Sequence, residues 1–166
     1  MRIGFDAKRA FLNNTGLGNY SRDTIRVLSH FYTSNKYFLY TTKNNKNPRL
    51  SFLKDSKNTY IRTPESLLNK ALKAYWRSKS IVKDLFNNKI DIYHGLSHEL
   101  PLGIEKTSIK TVVTIHSLSN LTNRYSISIT QLFLSLTSKT IFISKEISKK
   151  FKIKNEIIIP AFIPPD

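Results

Sequence analysis

Three histidines in one stretch, a pair of glycines and polar residues behind apolar runs are the parts of this 166-residue sequence that can do chemistry. Cysteine is absent, which excludes a thiol nucleophile, a Cys-ligated zinc and a disulfide. His94 and His98 are four residues apart with Glu99 adjacent, the spacing of two metal ligands on one helical turn. Gly95 and Pro101 make that stretch a loop, where helical spacing does not apply, and no metal is expected. His94 and His116 each close an apolar run, where an imidazole can exchange a proton or hydrogen-bond a substrate hydroxyl. The plainer reading of each is a hydrogen-bonded residue at a strand end.

Gly16-Leu17-Gly18 precedes a helical period. Small residues there let backbone N–H groups at a helix N-terminus approach a phosphate. The dinucleotide fingerprint fits poorly, because Ser21 takes the third glycine position and Gly16 comes ten residues after Asp6. A Walker A loop would need Gly-Lys-Ser/Thr, which is missing. The pair is either a phosphate loop or a turn leading into a helix.

The elements that must position these residues alternate. Residues 1–6 read as an opening strand, and a helix follows with Tyr20, Ile25, Val27, Leu28 and Phe31 among its apolar positions. Short strands are expected over 37–41 and 59–62. Glu65 to Asn88 is the longest helix candidate, with Thr63 as N-cap and Pro64 at its first position. Its apolar stripe is Leu68, Leu72, Tyr75, Val82 and Phe86, and its outer face carries Lys70, Lys73, Arg77, Lys79 and Lys83. Buried strands follow over 89–94, 111–115 and 140–143, with a helix over 127–136, a short helix from Ser144 and a last strand over 156–159. The pattern predicts an α/β, Rossmann-like domain with a mostly parallel sheet and helices on both faces. Asp6, His94, His116 and Ser144 then share the C-terminal edge of that sheet, where ligands of open α/β sheets bind.

The balance of 27 Lys+Arg against 11 Asp+Glu gives a net charge of +16. Lys outnumbers Arg 19 to 8, which points to a compositional bias in part, because phosphate and base recognition lean on Arg. No helix-turn-helix, zinc-finger or RNA-recognition signature accompanies the charge, so no specific nucleic-acid partner is expected. No run approaches the ~18 apolar residues of a spanning helix, and Met1 to Asp6 is no signal peptide.

Ile3-Gly-Phe-Asp-Ala-Lys8 followed by Thr15-Gly-Leu-Gly-Asn-Tyr20 resembles the N-terminal signature of bacterial family-4 glycosyltransferases of the GT-B fold. Asp91-Ile-Tyr-His-Gly95 with Leu100-Pro101, Val112-Val-Thr-Ile-His116 and Ile141-Phe-Ile-Ser144 follow in that family's order. The similarity runs from Met1 to about Pro165. It implies that residues 1–159 are the acceptor-side N-terminal domain, that 160–166 begin the interdomain linker, and that the donor-binding C-terminal domain is absent or a separate chain. It further implies transfer of a sugar from a nucleoside-diphosphate donor to a glycan or lipid-linked acceptor in cell-surface polysaccharide synthesis. No cofactor is implied beyond that co-substrate.

In that frame His116 is the active-site histidine, Gly16, Leu17 and Gly18 face the donor diphosphate, and Asp6, His94 and Ser144 line the acceptor cleft. N–H groups aimed at the diphosphate would stabilise charge as the glycosidic bond breaks. Lys70, Lys73, Arg77 and Lys83 would adhere to an anionic membrane surface, making the protein peripheral on the cytoplasmic face. Two departures stand out. Ser117 replaces the family's usual Asp after the histidine, removing a carboxylate that would favour imidazolium. The segment from His116 to Ser144 is short and Ser/Thr-rich. Both also fit a noncatalytic relative of the same fold, and a basic nucleic-acid-binding domain is a more distant alternative. The chain alone is expected to fold without turning over.

Overall fold

The computed structural model describes residues 1–45, 47–116, 138–142, 149 and 156–158. Seven strands form one sheet: β1 (Arg2–Asp6), β2 (Lys36–Tyr40), β3 (Thr59–Arg62), β4 (Ile92–Gly95), β5 (Lys110–Ile115), β6 (Lys139–Phe142) and β7 (Glu156–Ile158). Their order is β3-β2-β1-β4-β5-β6-β7, and every neighbouring pair is parallel. The chain starts in the middle, steps out through β2 to β3, then returns across β1 to build β4 onward. The strand order therefore reverses between β1 and β4, which opens a crevice at their C-terminal ends. This is the α/β, Rossmann-like architecture that the alternating pattern predicts.

Both faces of the sheet are covered. On one, Phe5, Tyr37 and Leu39 pack with Ala10 and Phe11 of α1 (Lys8–Leu12) and Ile25 of α2 (Gly16–Phe31). On the other, Phe38, Tyr40, Tyr93, Val113 and Phe142 pack with Trp76, Ile81 and Leu85. The split follows the period of two along each strand. Gly4 lies on the second face, where a Cβ would come within 3.1–3.3 Å of Tyr93, Tyr40 and Ile90. The two tyrosine rings close over it.

The expected single helix over 65–88 is broken. The backbone runs through α3 (Leu67–Ala71), α4 (Lys73–Tyr75), a π-helical turn at Trp76–Ser80 and α5 (Ile81–Asn87). Leu72 leaves helical geometry at φ −103°, ψ 57°, and Ser66, not Thr63, caps the start by accepting from the Asn69 N–H. The residues buried after that point are Trp76, Ile81 and Leu85. A step of five followed by a step of four shares one face only across a widened turn. The Trp76 ring fixes this register by donating from Nε1 to Asp84 Oδ2 at 2.6 Å.

The predicted stripe is consequently on the outside: Leu68, Leu72, Tyr75 and Phe86 are exposed, and so is Leu67. α1 follows β1 directly, and Arg22 of α2 donates to its Ala10 carbonyl. The helix expected over 127–136, the helix after Ser144 and the exit over 160–166 lie outside the described residues.

Candidate functional site

The C-terminal edges of β1, β4 and β5 gather two sets of side chains, one on each face. Successive residues point to opposite faces, so Phe5 and His94 face α2 while Asp6 and Tyr93 face the π-helical turn.

On the α2 face His94 donates to or accepts from Thr114 Oγ1 at 2.8 Å, and Tyr20 Oη meets the same hydroxyl at 3.2 Å. His116 follows β5, and its ring meets Tyr20 edge-on with centroids 4.7 Å apart. Its Nε2 lies 2.8 Å from the Leu96 carbonyl oxygen. A carbonyl only accepts, so Nε2 carries the proton and the lone pair of the neutral ring is on Nδ1. His98 Nε2 accepts from the His116 backbone N–H at 2.8 Å, while the His98 N–H donates to Thr114 O at 3.0 Å. These bonds hold His98 at φ 67°, a left-handed conformation that costs a non-glycine residue about 1 kcal/mol or more.

Burial dominates the titration of this cluster. It pushes His94 and His98 down to about 4 each, with the neighbouring His116 adding to the effect. His116 is also lowered by burial, against the pull of the Leu96 carbonyl. The rings are neutral at pH 7, so they act as hydrogen-bonding groups and His116 offers a basic Nδ1.

On the other face Asp6 is buried. Its Oδ1 accepts from the Lys8 N–H at 3.3 Å and its Oδ2 from Arg77 Nη1 at 3.1 Å. Arg77 also pairs through Nη2 with Glu99. Burial raises the Asp6 carboxyl and Arg77 opposes that rise. Burial lowers Arg77, but the two carboxylates outweigh it and raise it. Asp6, Arg77, Tyr93, His98, Glu99 and Leu100 are among the walls of a cleft of about 180 Å³ at this edge.

The glycine segment forms the start of α2. Thr15 is the N-cap residue but makes no side-chain cap, and no acidic residue lies in the first turn. Gly18 is required sterically, since a Cβ there would overlap the Asn13 carbonyl, whereas Gly16 faces open space. Arg22, buried, holds this approach by donating to the carbonyls of Ala10 and Asn13 and to Asn19 Oδ1. Arg49 reaches Asn14 O and Asn19 Oδ1 from the far side. Tyr20, two residues beyond Gly18, is the direct link from this segment to His116.

The structure therefore brings Asp6, His94 and His116 to one edge and sets the start of α2 beside them. His94 is buried on Thr114 and Phe5 and lies apart from the walls of the cleft. Arg77 does not belong to the outer basic face, since its side chain is 19% exposed and is held by two carboxylates. The widened turn at 76–80 is the reason. Lys70, Lys73 and Lys83 are not engaged in ion pairs among the described residues. Lys70, Lys73 and Lys83 are all exposed. Ser144 and Ser117 lie outside the described residues.

Sequence reasoning missed Tyr20, Thr114, Glu99 and the inward Arg77. Thr114 was findable as the residue two before His116 on the same strand face. Arg77 was not, because its direction depends on the π-helical turn. No family model and no curated protein matches this sequence.

Proposed function

We propose that this chain is the acceptor-side, N-terminal domain of a GT-B glycosyltransferase, working with a second α/β domain that carries a nucleoside-diphosphate sugar. The reading rests first on the resemblance of four sequence segments. One structural observation supports it above the others: the α2 start, His116 and the Asp6 cleft meet at the β1/β4 switch point, linked by the Tyr20–His116 contact. In this reading the backbone of Gly16, Leu17 and Gly18 faces the diphosphate, where N–H dipoles stabilise the leaving group. His116 meets the transferred sugar through its Nδ1 lone pair. Asp6 and the cleft around it meet the acceptor, a glycan or lipid-linked glycan. A noncatalytic role for the same fold remains the alternative that Ser117 favours.

A peripheral membrane attachment accompanies this proposal, on a specific observation. From Glu65 to Tyr75 nearly every residue is exposed, including Leu67, Leu68, Leu72 and Tyr75 beside Lys70 and Lys73. Apolar side chains among surface lysines suit an interface of acyl chains and anionic headgroups. No helix among the described residues is long and apolar enough to cross a membrane.

Backbone amide shifts followed during titration test the functional reading. A nucleoside-diphosphate sugar is expected to perturb Gly16 to Tyr20, and a neutral glycan to perturb Asp6, His98 and Glu99. Tight sequence-selective binding of nucleic acid at physiological salt would instead overturn it.

A further inference from the structure

The cleft at the β1/β4 edge has a charge that runs against the rest of the molecule. Two carboxyl groups, Asp6 and Glu99, share one guanidinium, Arg77, so the formal charges sum to −1 in a chain of formal net charge +16. His98 on the same wall is neutral at pH 7. The lysines of the outer segment are not among the walls.

A second feature points to what fills the cleft. Tyr93 is 1% exposed and is one of its walls. Burial and the nearby Asp6 hold that phenol protonated. A phenol on a cleft wall can both donate to and accept from a ligand hydroxyl. Leu100, Pro101 and Leu102 supply an apolar wall opposite the charged one. The volume of about 180 Å³ is below the ~300 Å³ of an ordinary ligand pocket, room for about one ring.

We infer that this cleft binds a single non-anionic, hydroxylated ring, preferring one that bears an ammonium group over a neutral one and rejecting one that bears a carboxylate or phosphate. The inference rests on the carbohydrate reading above and narrows it. Ring hydroxyls meet the Tyr93 phenol and the free lone pairs of Glu99, and an apolar ring face lies on Leu100 and Pro101. The charge of Arg77 is already offset by the two carboxylates paired with it, so it offers an anion little net attraction. An entering anion would meet the like charge of Asp6 and Glu99 at close range.

Glucosamine, glucose and glucuronate titrated separately into the full chain, with amide shifts of His98 and Glu99 as the readout, form the test. Glucosamine is expected to bind about fivefold more tightly than glucose, the worth of one half-exposed charge pair, and glucuronate not measurably. Glu99→Gln should remove the glucosamine advantage, and Tyr93→Phe should weaken both sugars without reordering them. Lys36→Glu, exposed at the N-terminal end of β2 and so on the opposite edge of the sheet, should leave the order unchanged.

Glucuronate binding as well as glucose would overturn the charge selection while leaving a carbohydrate site in place. A glucosamine preference that survives Glu99→Gln would overturn the assignment to this cleft. No shift with any of the three sugars would overturn the carbohydrate reading, and the inference with it.

Discussion

The Arg77 guanidinium donates from Nη1 to the buried Oδ2 of Asp6 across 3.1 Å, joining residues 71 apart in the sequence at the end of the first strand. That contact ties the π-helical turn to the sheet edge and turns a residue of the basic segment into part of the cleft. Removing Arg77 leaves a carboxylate that is 3% exposed with one backbone N–H as its remaining hydrogen bond. Arg77→Met should therefore cost roughly 2–4 kcal/mol in urea unfolding. Adding Asp6→Asn to that variant should recover part of the loss, because no buried charge is then unpaired. A loss below about 0.5 kcal/mol would place the pair with ordinary surface salt bridges.

Stability should fall as the pH drops from about 6.5 to about 4. His94 and His98 are pushed down to about 4 each in the fold and His116 is lowered too. The unfolded chain takes up protons near 6.5 that the folded chain refuses, so the stabilisation is whole above 6.5 and drains below it. His94 alone accounts for roughly 3 kcal/mol across that window. Asp6 works in the opposite sense: its raised carboxyl gives up a buried charge on protonation and offsets part of the loss. Urea midpoints from pH 7.5 to 4.5 read this directly, and His94→Gln should flatten the slope. An equal slope in that variant would remove His94 from the account.

Two glycines in one segment should behave oppositely. Gly18→Ala drives a methyl into the Asn13 carbonyl and should cost about 1–3 kcal/mol, seen as a lowered melting temperature. Gly16→Ala meets nothing within 4 Å and should be neutral or stabilising by up to about 1 kcal/mol. Under the proposed function the order reverses for the donor: Gly16→Ala folds well but weakens nucleoside-diphosphate binding by obstructing the backbone. Unaltered donor binding in a folded Gly16→Ala would detach this segment from the phosphate.

The exposed segment 65–75 should divide its membrane binding between charge and apolar contact. Lys70→Glu with Lys73→Glu is expected to abolish the salt-sensitive part of co-sedimentation with anionic vesicles. Leu68→Glu with Leu72→Glu is expected to abolish the part that survives high salt. Both leucines are exposed, so the fold should tolerate either pair. Equal sedimentation of all variants would end the membrane reading.

The strands were legible because a parallel strand buried on both faces is a short apolar run, and β1 to β5 fall within a few residues of the runs that announced them. The edge that carries the site was legible for the same reason, since Asp6, His94 and His116 close those runs. The helix over 65–88 was misread because Leu68, Leu72 and Phe86 fit a regular period, while Trp76 and Asp84 impose a different one through a tertiary hydrogen bond. A single widened turn moved one apolar set outside and Arg77 inside. Periodicity records local spacing, and the pull of Asp6 on Arg77 is not local.

The places of Glu99 and Tyr93 in the cleft were not legible for a related reason. Glu99 follows His98, whose left-handed backbone folds the loop back toward Arg77, and nothing in the residue types near Gly95 announces that turn. Tyr93 reads as core from its strand, and most of its ring is core. Only its hydroxyl, at the cleft, is not.

The account turns on a carbohydrate ring seated between Asp6, Tyr93 and Glu99. A crystal structure of the full chain grown with a short glucosamine-containing glycan measures that most directly. The account predicts density for one ring in the cleft, with a ring hydroxyl within hydrogen-bond distance of Tyr93 Oη and an amine or hydroxyl on Glu99. An empty cleft with the glycan bound elsewhere, or an anion seated on Arg77 in its place, would contradict it.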